Sequence, residues 1–443
     1  MNKKPLLAIA IVVAAGLVAF AKNPPPQDQP PIKLTLVGSG VVPKLAVPDF
    51  IGDPTVGKTL GQVLWDDFDF EAEFYMVPRD TYKTIPQPGT LDEVQLQRWK
   101  ELGADGLVVG SVRQTGSTMV VQVRLIQVTT GQSLFAKEYT GASKNPRFFA
   151  HTIADEIHQQ QRALRGVART KLTFTSDRDG ERIKGPTASR DIQNIYTADY
   201  DGANQTRITI TQSLDITPAW SPDSQAIAYT SYGSGYPDIV VAEIYKGRSS
   251  RPAKGNDRVH NFLPAWSPDG SKLAFMSNRD GNPEIYVINR DGSGLRRLTF
   301  HPENDVTPTW APSGNQLAFT SNRTGKPQIW IMNADGSQQR KLTNESWCDR
   351  PTWSPAPFNE IAYASQSGGG YDIRIYDVST ANTKTITDGI GSNESPAFSP
   401  TGRHVAFVST RAGKAQIFTI RRDGTNRKQI TTSGDNRFPN WSN

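Results

Sequence analysis

One short run recurs six times along the second half of this 443-residue chain, and it restricts the fold more than any other feature. Pro218-Ala-Trp220-Ser-Pro-Asp returns as Pro264-Ala-Trp266-Ser-Pro-Asp-Gly, Pro308-Thr-Trp310-Ala-Pro-Ser-Gly, Pro351-Thr-Trp353-Ser-Pro, Pro396-Ala-Phe398-Ser-Pro-Thr-Gly and Pro439-Asn-Trp441-Ser. The leading prolines are 46, 44, 43, 45 and 43 residues apart. A period in the forties with room for four strands is the length of a propeller blade. In one repeat the strands read as Leu263 to Ser267, Lys272 to Ser277, Glu284 to Asn289 and Leu295 to Thr299. Pro268-Asp-Gly270, Arg279-Asp-Gly281 and Asp291-Gly292 turn the chain between them.

The second strands share an alternation of large residues with alanine: Ile227-Ala-Tyr229, Leu273-Ala-Phe275, Leu317-Ala-Phe319, Ile361-Ala-Tyr363 and Val405-Ala-Phe407. One sheet face is bulky and the other thin, so neighbouring blades can approach. The tryptophans before the Ser-Pro turns are expected to pack in the core. Leu172-Thr-Phe174 and Asn194 to Ala198 match second and third strands, but no Pro-x-Trp precedes them. The terminal Phe438-Pro-Asn-Trp441 is predicted to supply the missing inner strand, closing a six-bladed ring and removing an open edge. The fold class is therefore mostly β, a six-bladed propeller at 169–443 behind a small α/β domain.

That preceding domain spans 33–168, with the order βαβαβββα. Leu45 to Ile51 and Phe74 to Val77 read as strands, and Leu60 to Phe68 as a short helix. Thr90 and Glu93 form a capping box for a second helix carrying Val94, Trp99 and Leu102. Leu107 to Val112, Val120 to Gln127 and Leu134 to Tyr139 follow as strands, then a helix from Phe148 to Arg165. Residues 22–32 are rich in proline and read as a flexible arm. Residues 1–21 carry Lys3 and Lys4, an apolar run from Leu6, and Ala19-Phe20-Ala21. This predicts an export signal cleaved after Ala21, with an uncleaved single-span anchor as the alternative.

Net charge is +6, or near +4 once Lys3 and Lys4 are removed, with no basic run. Nucleic acid is not an expected partner. Cys348 has no second cysteine to pair with and reads as a blade-loop residue. The histidines at 151, 158, 260, 301 and 404 show no metal-ligand spacing, and neither metal nor cofactor is expected.

Three motifs invite chemistry. Gly52-Asp-Pro-Thr-Val-Gly57-Lys58-Thr59 fits a phosphate-binding loop, but Pro54 removes an amide donor and no metal-holding aspartate follows a later strand. It reads as a strand-to-helix loop. No Gly-x-Ser-x-Gly elbow exists for a hydrolase. The Asp-Gly pairs at Asp179, Asp201, Asp280, Asp291, Asp335 and Asp423 sit at hairpin turns, where glycine supplies positive φ, and not in a calcium loop.

The loops before each Pro-x-Trp strand gather at one end of the channel by blade geometry. They include His260, Asn261, Phe262, Leu263, Asn304, Asp305, Val306, Thr307, Asp349, Arg350, Asn393, Glu394 and Arg437. Their mixed polar and apolar character suits a partner-binding rim.

At the run 264–275 and the terminal Phe-Pro-x-Trp-Ser, the chain resembles the TolB family of Tol–Pal envelope proteins. Gly103 to Gly110 and Ala150 to Glu156 carry the likeness in the first domain. The resemblance implies a non-enzymatic, monomeric periplasmic docking protein, associated with membranes only through its partners and supporting outer-membrane integrity and constriction during division. It implies that the lipoprotein Pal binds the channel-end loops, with His260-Asn261 in that surface and Val306 and Thr307 in the corresponding loop one blade on. It also implies contact with the inner-membrane protein TolA through the N-terminal segment, although the proline-rich stretch before Ile32 departs from the family pattern. A propeller that senses a small ligand or peptide, or serves a hydrolase as accessory, is the alternative.

Overall fold

The structure, a computed structural model, describes residues 42–184 and 189–443. The expected export signal, the proline-rich arm and the first residues of the N-terminal domain lie outside the described residues. The N-terminal domain begins with β1 (Lys44–Ala46) and β2 (Ile51–Gly52), two short pieces where one strand is predicted. Helix α1 (Pro54–Glu71) starts six residues before its predicted onset at Leu60. Asp53 explains the early start: its carboxylate accepts the Thr55 and Val56 N–H groups at 2.9 Å, and Pro54 occupies the first turn. A Cβ at Gly57 would lie 2.1 Å from the Phe50 carbonyl oxygen, so only glycine lets the helix approach β2 this closely.

After β3 (Tyr75–Met76) the chain makes a 3-10 turn over Arg79–Thr84, then α2 (Leu96–Glu101). The predicted capping box does not cap α2. Glu93 accepts the Gly89 N–H at 3.0 Å instead, and Gln95 occupies the N-cap without a side-chain bond. Strands β4 (Gly106–Thr115), β5 (Thr118–Gln127) and β6 (Ser133–Ala142) form an antiparallel meander, and α3 (Pro146–Arg162) closes the domain. The sheet order is β3-β1-β4-β5-β6, with β2 paired to β4. Leu60, Leu64 and Phe68 of α1 bury with Ile153 and Ile157 of α3 in one cluster, while Trp99, Leu107, Val109 and Ile126 build a second.

Six four-stranded antiparallel sheets follow. In blade 3 the strands are Asn261–Trp266, Lys272–Ser277, Glu284–Asn289 and Arg296–Arg297, so the outer strand is shorter than its sequence pattern. Asn436–Trp441 pairs antiparallel with Lys171–Ser176 and serves as the inner strand of blade 1. Its indole Nε1 donates to the Thr170 hydroxyl at 2.7 Å. Cys348 is not a loop residue; it opens the inner strand of blade 5, fully buried, with its thiol pushed up to about 12 by burial.

The N-terminal domain rests on blades 6 and 1, at the end where the Ser-Pro turns lie. Phe70 stacks on His404 at 4.2 Å, and the His404 ring bonds the Phe70 carbonyl oxygen at 3.0 Å through Nε2. Arg403 donates to Glu71 at 2.6 Å, Lys428 pairs with Asp69 at 2.9 Å, and the Tyr200 hydroxyl donates to Asp67 at 2.6 Å. The opposite end of the propeller carries the rim.

Candidate functional site

Each inner strand makes the same bulge. Thr217, Leu263, Thr307, Arg350, Ser395 and Phe438 have φ of 53°, 60°, 50°, 55°, 52° and 55°, and each stands immediately before the blade's proline. Ladder register shifts at every one of these points. Left-handed backbone at a residue with a Cβ costs about 1–2 kcal/mol. Repeated around the ring, it bends the six strands together and re-aims their first residues toward the channel mouth.

Beneath the bulges lies a layer that the loops conceal. Asn261, Asp305 and Asn393 open their inner strands and are fully buried, so these three rim candidates do not reach the surface. Arg279 donates to Asn261 Oδ1 at 3.0 Å, Arg323 to Asp305 at 2.5 Å and Arg411 to Asn393 at 3.3 Å. Asn261 in turn donates to Asp238 at 2.8 Å. The guanidinium of Arg323 lies 4.6 Å from the Trp330 ring, and that of Arg279 lies 5.1 Å from Tyr286. Arg178 repeats the arrangement in blade 1 with Asn436 at 2.8 Å. Sequence reasoning missed this clasp, although Ser-x-Arg-x-Gly stands at 176–180, 277–281, 321–325 and 409–413.

The remaining candidates are brought together at the surface. His260 meets Phe262 edge to face at 6.4 Å, and Phe262 meets Tyr232 at 6.2 Å. Asn304 is exposed, Val306 is half-buried, and Thr307 is nearly covered. The Thr307 hydroxyl donates to Thr320 at 2.6 Å, and Thr320 donates to Asp349 at 3.0 Å. Arg350 reaches past blade 6 to lie 4.5 Å over the Phe438 ring of blade 1. Ser392 donates to Glu394 at 2.6 Å, and Arg437 pairs with Asp435 at 2.6 Å. Phe300, Trp347 and Ile390, on loops of this end, are exposed and were not singled out by sequence.

A cavity of about 270 Å³ runs inward from this mouth, lined by all six bulge residues and their prolines. Arg350 is the charged residue among the described residues that line it. At the far end stand Trp266, Trp310, Trp353, Trp441 and Phe398. Trp266 and Trp310 donate through Nε1 to the carbonyl oxygens of Ala219 and Ala265 at 3.1 and 3.2 Å, which fixes one blade to the next.

The nucleotide-like run holds no anion cradle. Its first amides are taken by Asp53, Gly57 N–H donates to the Asp53 carbonyl oxygen at 2.7 Å, and Thr59 donates to the Thr55 carbonyl oxygen at 2.9 Å. The Asp-Gly turns are also committed: Asp291, Asp335 and Asp423 each accept a backbone and a hydroxyl donor two residues on. Among the described residues no group of three His, Cys, Asp or Glu could hold a metal, and no helix is long and apolar enough to cross a membrane.

These features define a class: two-domain propeller proteins with an α/β domain on the turn end and a free, bulged rim at the other. Residues 162–443 match the family model described as the TolB beta propeller domain, and residues 37–134 match the TolB amino-terminal domain. The chain belongs to the TolB family. It is 31% identical over 258 residues to the Tol-Pal system protein TolB of Desulfosudis oleivorans, covering 56% of this chain and 55% of that one. Against the Haemophilus influenzae (strain PittGG) Tol-Pal system protein TolB it is 30% identical over 265 residues, 58% and 57% of the two chains. The chain thus spans about half the length of the curated relatives it matches. The crystal structure of TolB from Acinetobacter baumannii has the same fold, with a TM-score of 0.77 and 24% identity over 91% of this chain and 97% of that one.

Proposed function

We propose that this chain is a non-enzymatic, periplasmic docking component of the Tol–Pal system. In this reading it binds the lipoprotein Pal on the propeller rim and TolA through its N-terminal segment, and so supports outer-membrane integrity and constriction during division. The chain acts as a monomer and meets membranes only through these partners. The observation that carries the reading is the rim itself. The N-terminal domain rests on blades 6 and 1 at the other end of the propeller, leaving His260, Phe262, Leu263, Asn304, Val306, Asp349, Arg350, Glu394 and Arg437 open around this mouth. Rings, a guanidinium and hydroxyls on a rigid bulged frame suit a protein partner.

Titration calorimetry of residues 22–443 against the soluble domain of the organism's own Pal tests this. Binding at micromolar or tighter is expected, weakened about tenfold or more by His260→Ala. No binding by folded wild-type protein sinks the Pal assignment.

A further inference from the structure

The N-terminal domain has a cavity of its own, of about 260 Å³, that the docking reading does not use. Pro48, Ile51, Ile85, Pro86, Pro88 and Val94 wall it. Tyr82 and Trp99 also line it, edge to face at 5.0 Å. These rings are held in place before any ligand arrives. The Tyr82 hydroxyl donates to the Val77 carbonyl oxygen at 2.8 Å and accepts the Val47 N–H at 3.1 Å. Arg79 donates to the Val47 carbonyl oxygen at 2.6 Å, pairs with Asp49, and lies 5.9 Å from the Tyr82 ring. Such preorganisation lowers the entropic cost of binding.

The polar inventory narrows the occupant. Asp49 neutralises Arg79, whereas Lys83 is exposed and makes no ion pair among the described residues. The site therefore carries one net positive charge. Gln87 and Gln95 are exposed, and Trp99 is otherwise buried with no acceptor for its indole N–H among the described residues. Apolar and aromatic walls are thus combined with spare donors. A polyproline II segment complements that combination, because its carbonyls make no internal hydrogen bonds and its prolines bring no N–H to satisfy. Aromatic-lined grooves are the recurring receptors for such segments.

We propose that this cavity docks a proline-rich segment of a partner protein that carries an acidic residue beside its prolines. Lys83 takes the carboxylate and the Trp99 N–H takes a backbone carbonyl. This site is independent of the rim and of the Pal reading.

The test titrates the full chain with acetyl-Pro-Pro-Pro-Asp-Pro-Pro-amide, with the same peptide bearing alanine for every proline, and with one bearing lysine for the aspartate. The first peptide is expected to bind tightest. Trp99→Phe, which keeps a ring and loses the donor, weakens it roughly three- to tenfold. Lys83→Glu reverses the order of the aspartate and lysine peptides. Equal binding of the alanine peptide overturns the proposal, as does no binding at millimolar peptide to the chain with or without residues 22–32; binding that appears only once that stretch, with its prolines around Asp28, is removed assigns the cavity to this chain's own arm and overturns the partner reading. Affinity unchanged in both variants places the peptide elsewhere, the propeller channel included, and also overturns it. Thermal melts check folding, and should Trp99→Phe fail to fold, the Lys83→Glu reversal decides alone.

Discussion

Asp305 and Arg323 lie 2.5 Å apart with side chains 0% and 11% exposed, and Arg323 also donates to Ser321 at 2.9 Å and to Gln339 at 2.7 Å, so the buried Asp305 carboxylate has this guanidinium as its neutralising partner. Removing one partner leaves a buried charge uncompensated, a loss of about 3–5 kcal/mol. Arg323→Ala is expected to lower the melting temperature accordingly, and adding Asp305→Leu should restore much of it. Both results are read by calorimetric melts. A rim contact behaves differently: His260→Ala should leave stability nearly unchanged and act on partner binding. Asn261, Asp305 and Asn393 read as rim residues beside His260 because all stand in loops ahead of the same motif. Spacing alone could not separate those facing outward from those facing into the blade, since the bulge at the third residue decides it. The arginine clasp was legible as a recurring Ser-x-Arg-x-Gly, but its reach of many residues to the inner strand was not.

At the scale of elements, local signals served well where a cap or turn residue acts on its own neighbours. Asp53 and Pro54 start α1 where capping rules put them, and reading them as a strand-to-helix loop shortened the predicted helix. The Thr90-x-x-Glu93 pattern failed for the opposite reason. Glu93 finds the Gly89 N–H in a tight turn, and the chain stays irregular where it approaches the cavity of the first domain. The closing strand is the element on which the ring depends. Trp441 is 7% exposed and hydrogen-bonded, so Trp441→Ala is expected to cost about 3–5 kcal/mol. Truncation before Asn436 should do more, exposing the unpaired edge of Lys171–Ser176. Size-exclusion chromatography with light scattering is expected to show aggregates, and a monomeric, cooperatively melting truncation would contradict the role given to this strand.

For the whole molecule, the contact between the domains makes stability depend on pH. Burial holds His404 and His158 down at about 4, so both are neutral in the folded protein while the unfolded chain titrates near 6.5. The unfolded state therefore binds more protons between those values, and stability falls as pH drops through that window. The limit is about 3 kcal/mol for each histidine. His151 runs the other way: burial lowers it, but Asp67 at 2.9 Å outweighs that and raises it, so its contribution fades as pH rises through the folded value. Melting temperatures from pH 7 to 4.5 should fall, and His404→Gln should reduce the slope by about one proton near pH 5. An unchanged slope would remove His404 from the account. Sequence by itself determined the number of blades, the order of strands and the closure by Trp441, because periodicity and turn chemistry are local and repeat. Only the tertiary structure decided which rim residues face outward, which arginine meets which inner strand, and where the first domain sits. Those depend on distances between residues far apart in the chain, which no local pattern encodes.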